Sequence, residues 1–275
     1  MDYTHAIQQG CDTLLTNVRF FNLAQTLDNG QAFRWHKNSD NEYTGIAFGR
    51  RMTIVCTGDD FLFKDTTLEE FENTWKQYLD FTRDYGKLHE QLSINSGEFL
   101  RCALEYSPGL RMIKQDIFEV LISFILSQNS NIPRIKKMVE SLCQNFGQKL
   151  ECGGYTFPTP QTLCSLTLDD LDCIKSGYRA AYILDAAQKT NSGEFDPIAL
   201  DSLPSEEIFK SLLKIHGIGP KVAECVLLYG FGRVERYPID VWIKRTMEKY
   251  IPEGFSQKAY QGIAQQYVFH YARRK

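Results

Sequence analysis

Residues 213–240 read LKIHGIGPKVAECVLLYGFGRVERYPID, and the fold of the C-terminal part of the chain follows from this stretch. A helix closes at Ile215, His216-Gly217-Ile218-Gly219 makes a tight hairpin, and Pro220 stands at the first position of a second helix, where a missing N–H is tolerated. The spacing predicts helix, hairpin, helix. Gly217 and Gly219 let the backbone come close to a ligand, and the unused N–H groups opening the second helix suit a phosphate oxygen without any basic side chain. From this motif alone, a plain glycine turn between packed helices is the alternative. Lys221 and Cys225, four apart, share a face of the second helix, and Asp240 ends a Pro-Ile-Asp run nineteen residues past Lys221. A desolvated lysine amine can attack a sugar C1′ and form a Schiff base, while a carboxylate can steady positive charge on the sugar. The plainer alternatives are a solvated lysine and an N-cap for a helix starting at Val241, and the capping and chemical roles of Asp240 are compatible.

Outward from this stretch, helical periodicity runs back to about residue 100. Ile135, Met138, Val139, Leu142, Cys143 and Phe146 recur at spacings of three and four, with Gly147 as the stop. Residues 117–126 are apolar almost all round, which predicts a helix at the centre of a helical domain. Further helices are expected at 168–176, 179–189, 205–215, 220–229, 241–250 and 256–271. Before residue 100 the pattern changes: short β-rich runs at 33–35, 43–48, 52–57 and 61–63 alternate with turn clusters, a spacing too tight for parallel crossovers. An antiparallel meander is predicted there, with a turn at 38–41, followed by a helix through Phe71, Trp75 and Tyr78 that opens on a Thr66/Glu69 capping box. The fold class is α+β, mainly α.

The 275 residues are 43% hydrophobic and 24% charged, which fits a folded chain of roughly two domains and excludes disorder and collagen. Thirty-one Lys plus Arg against thirty-four Asp plus Glu leave a charge of −3, so a nucleic-acid partner has to be held by a local surface rather than a global field. No window approaches the ~18 apolar residues of a membrane helix, and MDYTHAIQQG lacks a secretory pattern, so an intracellular protein without a membrane partner is expected. The eight cysteines include no CxxC pair, which argues against zinc ribbons and compact iron–sulfur loops. They read as mostly buried thiols.

With these residues in place, the chain resembles the helix-hairpin-helix, Gly/Pro…Asp superfamily of DNA glycosylases, and within it the 8-oxoguanine DNA glycosylase/AP lyase family. The hairpin with Lys221 and the downstream Pro-x-Asp carry the resemblance, together with Asn29-Gly30-Gln31-Ala32-Phe33-Arg34-Trp35, which is similar to the family's SGQxFRW segment. Residues 128–146 resemble its DNA-probing loop and following helix, Gly177-Tyr178-Arg179-Ala180 its GYRA element, and 264–269 its C-terminal pocket helix. The family implies an N-terminal antiparallel β domain with covering helices over 1–98 and a two-lobed helical domain over 99–275. Within the latter, a probing lobe is expected at about 128–200, the hairpin unit at 205–230 and the pocket helix at 256–271.

The resemblance makes Lys221 the nucleophile and Schiff-base lysine and Asp240 its carboxylate partner. It implies that the Gly30 carbonyl meets the N7–H of a flipped 8-oxoguanine, that Phe269 and Cys225 sandwich the base, and that Gln265 bonds its Watson–Crick edge. Asn129 and Tyr178 take the gap-filling and wedging positions, and Arg134 and Arg179 read the unpaired cytosine, Arg179 being the firmer of the two because Pro133 and Ser130 alter the loop before Arg134. Trp242 stands where eukaryotic members carry a histidine, and no cysteine follows Asp240, so the four-cysteine cluster loop of related enzymes is missing. The implied partner is double-stranded DNA containing 8-oxoguanine, with no metal, no cofactor and no obligatory protein partner. The expected location is a prokaryotic cytoplasm, at the nucleoid, or a eukaryotic nucleus. Two competitors stay open: a monofunctional alkyl-purine glycosylase, in which Lys221 is dispensable, and a non-enzymatic module that uses the hairpin only to grip DNA.

Overall fold

The computed structural model describes residues 2–273, and the fold is α+β. Six strands, β1 (His5–Gln9), β2 (Asp12–Thr16), β3 (Trp35–Ser39), β4 (Glu42–Ala47), β5 (Arg50–Thr57) and β6 (Asp60–Lys64), form one antiparallel sheet in the order β1-β2-β6-β5-β4-β3. The run from β3 to β6 is the meander legible in the sequence. The β1–β2 hairpin, which the sequence reading misses, joins it by pairing β2 with β6, Leu14 opposite Leu62. Four of the five residues of β1 are exposed, so there is no alternation to detect and main-chain pairing alone makes the strand. For the same reason β3 runs on through Asn38, where a turn is predicted: only Trp35 is buried and the exposed arm is held by its ladder to β4.

Leu15, Tyr43, Met52, Ile54, Phe61 and Phe63 fill one face of the sheet, following the alternation of period two. Trp35 lies opposite Gly45, where an added Cβ would collide with the indole, and its ring N–H donates to the Tyr78 hydroxyl at 2.7 Å. The helical segment that covers this face opens one residue later than expected. The capping box is Thr67 with Glu70, because the Thr66 hydroxyl is buried and already bonded to the Lys64 carbonyl.

The chain divides into two compact units, Met1–Gly45 with Met52–Lys114 and Val234–Lys275, and Ile46–Arg51 with Gln115–Arg233. Beside the sheet, the first unit holds the helices Tyr85–Ser93, Glu98–Tyr106, Val241–Tyr250 and Gln261–Ala272. Its last helix starts later than the 256 expected, behind a 3-10 turn at Lys258–Tyr260. The second unit is built around Ile117–Ser127, which is buried on nearly every residue as its composition requires and packs against Pro220–Tyr229, Ile132–Phe146 and Arg179–Ser192. The helix expected at 168–176 is a 3-10 turn, Asp170–Ile174, and the helix before the hairpin, Ser205–Leu212, tightens at its end into i to i+3 bonds at Lys214 and Ile215. Among the described residues, no helix is long and apolar enough to cross a membrane.

Candidate active site

In the second unit the hairpin takes the predicted form. Gly217 has φ +79° and lies against the Tyr182 ring, so a side chain there fails on both conformation and space. Gly219 is the opposite case: an added Cβ would meet nothing within 4 Å, so the main chain in front of the second helix faces open space. Pro220 opens that helix, whose first-turn N–H groups have no carbonyl one turn back to bond. The hairpin is held from behind, with the His216 N–H donating to Asp185 at 2.7 Å and its ring edge-on to Tyr182.

Lys221 sits in the first turn after the hairpin, half-buried, its Nζ 5.2 Å from the centre of the Phe124 ring. Phe124 is itself stacked on Tyr229 at 5.3 Å, so an aromatic pair backs the amine on one side. Cys225, one turn further along, is buried.

The loop after Ile117–Ser127 is tied to the hairpin by Gln128, whose Nε2 donates to the Gly217 carbonyl at 3.2 Å. Next to it Asn129 is exposed and holds φ +48°, a conformation that asparagine tolerates better than most residues. Asn131 caps the following helix by accepting from the Arg134 N–H, and the Arg134 side chain is exposed. Arg179 packs against this loop. It is 4% exposed, with Nε 2.8 Å from the Gln128 carbonyl, one terminal nitrogen 2.9 Å from the Ser176 carbonyl, and the other bonded to the Gln128 and Asn129 carbonyls. Its guanidinium lies 4.7 Å from the centre of the Tyr178 ring, and Tyr178 is 53% exposed. The structure thus gathers Gly217, Gln128, Asn129, Tyr178 and Arg179 into one cluster and leaves Arg134 pointing to solvent. Sequence reasoning missed Tyr182 as the backing of this cluster, although its place four residues after Tyr178 puts both rings on one helix face.

In the first unit Asp240 caps Val241–Tyr250, its Oδ1 accepting from the Ile243 N–H at 2.7 Å, and Oδ2 has no hydrogen bond among the described residues. Gly30 has φ +91° and sits in a turn closed by Asn29, whose side chain bonds the Gln25 carbonyl and the Gln31 N–H. On Gln261–Ala272, Gln265 is 2% exposed and its Oε1 is buried without a hydrogen-bond partner. Phe269, on the same helix face, is half-buried, with the Arg273 guanidinium 5.2 Å from its ring centre.

Two residues that the sequence does not single out, Tyr267 of this helix and His89, meet on its other side. Tyr267 is fully buried, and its hydroxyl donates to the Leu110 carbonyl at 2.7 Å and lies 2.8 Å from His89 Nε2. Burial pushes the His89 imidazole down to about 4, and Arg111 adds to this while Asp2 opposes it. The unfolded chain therefore takes up this proton first as pH falls, and stability is lost between pH ~6.5 and ~4. About 2 kcal/mol is expected to go between pH 7 and 5. Urea titrations at both pH values on wild type and His89→Gln check this, and an equal loss in both proteins assigns the effect elsewhere.

Residues 13–121 match the family described as 8-oxoguanine DNA glycosylase, N-terminal domain, and residues 122–258 match the HhH-GPD superfamily base excision DNA repair protein. The N-glycosylase/DNA lyase of Saccharomyces cerevisiae is 35% identical over 273 residues, covering 82% of this chain and 67% of that protein. N-glycosylase/DNA lyase OGG1 of Arabidopsis thaliana is 28% identical over 241 residues, covering 83% and 66%. The chain spans about two thirds of the length of these relatives. Among solved structures, the Clostridium acetobutylicum 8-oxoguanine glycosylase/lyase in complex with double-stranded DNA containing cytosine opposite 8-oxoG superposes with a TM-score of 0.92. It is 34% identical, with 100% of this chain and 99% of that chain covered.

Proposed function

We propose, since the chain belongs to the 8-oxoguanine DNA glycosylase family of the helix-hairpin-helix superfamily, that it removes 8-oxoguanine from duplex DNA and cuts the abasic strand by β-elimination. The observation that carries this reading is the seating of Lys221 in the first turn behind an open glycine hairpin. The hairpin amides hold a phosphate oxygen. The deprotonated Lys221 amine attacks C1′, the N-glycosidic bond breaks, and the base leaves with the bonding electrons and takes up a proton. The sugar ring opens to an imine on Nζ, loss of a C2′ proton expels the 3′ phosphate, and water hydrolyses the imine to free the lysine. Asp240 supplies negative charge for the cationic sugar through Oδ2, while Oδ1 keeps its helix capped. Borohydride trapping on an 8-oxoguanine duplex tests the reading. A covalent adduct is expected, and a monofunctional glycosylase or a non-enzymatic hairpin protein forms none.

The choice of base rests on two polar groups of the first unit, Gln265 and Gly30. The orphan Oε1 of Gln265 is an acceptor, so it calls for donors, and the Watson–Crick edge of a guanine-type base offers an N–H and an amine where adenine presents a bare N1. The Gly30 carbonyl accepts the N7–H that distinguishes 8-oxoguanine from guanine. Phe269 and Cys225 each offer the base a face, one aromatic and one polarizable. The enzyme works wherever chromosomal DNA lies, in the cytoplasm at the nucleoid or in the nucleus.

On the opposite strand the two arginines divide the work. Asn129 fills the gap left by the flipped base and Tyr178 wedges the stack. The donors of Arg179 already bond the loop carbonyls, so it clamps the loop that presents Asn129, and the exposed Arg134 reads cytosine O2 and N3. One good bidentate contact is worth about 1–3 kcal/mol of discrimination, or roughly five- to a hundredfold. Arg134→Ala is therefore expected to flatten the preference for cytosine over adenine, and Arg179→Ala to slow excision opposite all four bases while the preference stays. Single-turnover rates opposite the four bases decide the matter, and a flat profile in Arg179→Ala alone reverses the assignment.

A further inference from the structure

Two polar groups can read one base only at a fixed spacing, because a donor–acceptor distance wrong by about 1 Å no longer makes a hydrogen bond. The residues that hold Gly30 and Gln265 at their spacing lie behind both. Tyr267 stands midway between Gln265 and Phe269, and at about 100° per residue it points to the far side of the helix from either. There its hydroxyl donates to the Leu110 carbonyl. Burial raises the phenol far above its ordinary pKa, so it keeps the proton it donates, and the His89 Nε2–H completes its bonding.

Leu110 opens a strap without helix or strand, residues 110–114, whose next members are gripped by the residue beside Gly30. The side chain of Gln31, fully buried, donates from Nε2 to the Arg111 carbonyl at 2.7 Å and accepts on Oε1 from the Ile113 N–H at 2.9 Å. The strap itself is tied at many points. Arg111 is fully buried, pairs with Asp2, donates to the Phe20 and Asp80 carbonyls, and lies over the Phe81 and Tyr85 rings, while its own N–H donates to Thr26 Oγ1 at 3.1 Å. The same strap thus holds the helix of Gln265 at Leu110 and the turn of Gly30 at Arg111 and Ile113.

We infer that Tyr267 is a positioning residue for lesion selectivity: its bond to the Leu110 carbonyl sets the spacing of the Gln265 amide from the Gly30 carbonyl. The inference rests on the reading of those two groups as the polar readers of the base. Tyr267→Phe keeps the ring and removes only the hydroxyl. Single-turnover excision of 8-oxoguanine, and its ratio to excision of guanine, are each expected to fall about tenfold, the size of one lost hydrogen bond. Strand cleavage at a preformed abasic site, which presents no base, stays within about twofold on the same argument. His89→Gln leaves the Leu110 bond in place and keeps both activities near wild type. A wild-type ratio in Tyr267→Phe, equal losses on both substrates, or the same loss of selectivity in His89→Gln overturns the proposal. Where Tyr267→Phe lacks a cooperative melt, Thr26→Val, which unties the strap at the Arg111 N–H, is read by the same criteria. Gln265→Ala, run in parallel, separates the two levels: unchanged 8-oxoguanine excision there removes the base-reading premise, whatever Tyr267→Phe does.

Discussion

Lys221→Gln is expected to abolish borohydride trapping and to slow excision of 8-oxoguanine on the order of a thousandfold or more, with binding to an abasic-site duplex nearly unchanged. The asymmetry follows from where affinity and chemistry reside. On the proposed reading the phosphate meets main-chain N–H groups that start at Gly219, and replacing the side chain of Lys221, the second residue of the helix, leaves those groups in place. Glutamine preserves the length of the stem over Phe124 and removes the charge and the nucleophile. A loss of binding as large as the loss of rate makes the lysine a phosphate contact instead. Trapping at wild-type level in Lys221→Gln moves the nucleophile to another amine.

The second large effect is expected at Asp240, where two replacements separate two functions of one carboxylate. Asparagine is as good an N-cap as aspartate, and its side-chain oxygen still accepts from the Ile243 N–H, so Asp240→Asn keeps the melting temperature near wild type while the rate falls about a hundredfold or more. Asp240→Ala loses the same rate and also about 1 kcal/mol of stability with the cap. Rates and melts of both variants check this. An unchanged rate in Asp240→Asn leaves the residue with the cap alone.

Local signals and the fold agree where one segment contains all the information. The hairpin, Pro220–Tyr229 and Val241–Tyr250 stand where glycine, proline, an N-cap and apolar spacing put them, because each signal acts within a few residues of the bond it controls. The same is true of the central helix Ile117–Ser127, whose composition admits only burial, and of the meander from β3 to β6. Lys221, Asp240, Gly30, Gln265 and Phe269 were legible as candidates through motifs and family resemblance, and the structure adds the free Oδ2 of Asp240 and the orphan Oε1 of Gln265.

Other features were settled only when distant segments met. Arg179 reads as a base contact in sequence, and only the fold shows that carbonyls about fifty residues earlier accept from its guanidinium. Tyr267 is an unremarked tyrosine until Leu110, 157 residues away, is placed against its hydroxyl. β1 has no pattern of its own and exists through pairing with β2. In each case the partner is a main-chain group, which every residue carries, so residue type leaves no trace of the contact. The sequence by itself determined the α+β class, the hairpin, the capped helix at Asp240 and the chemistry on offer at Lys221. The tertiary structure alone decided that Arg179 is buried against loop carbonyls while Arg134 stays exposed, and that Tyr267 meets the Leu110 carbonyl, because those partners are main-chain groups distant in sequence.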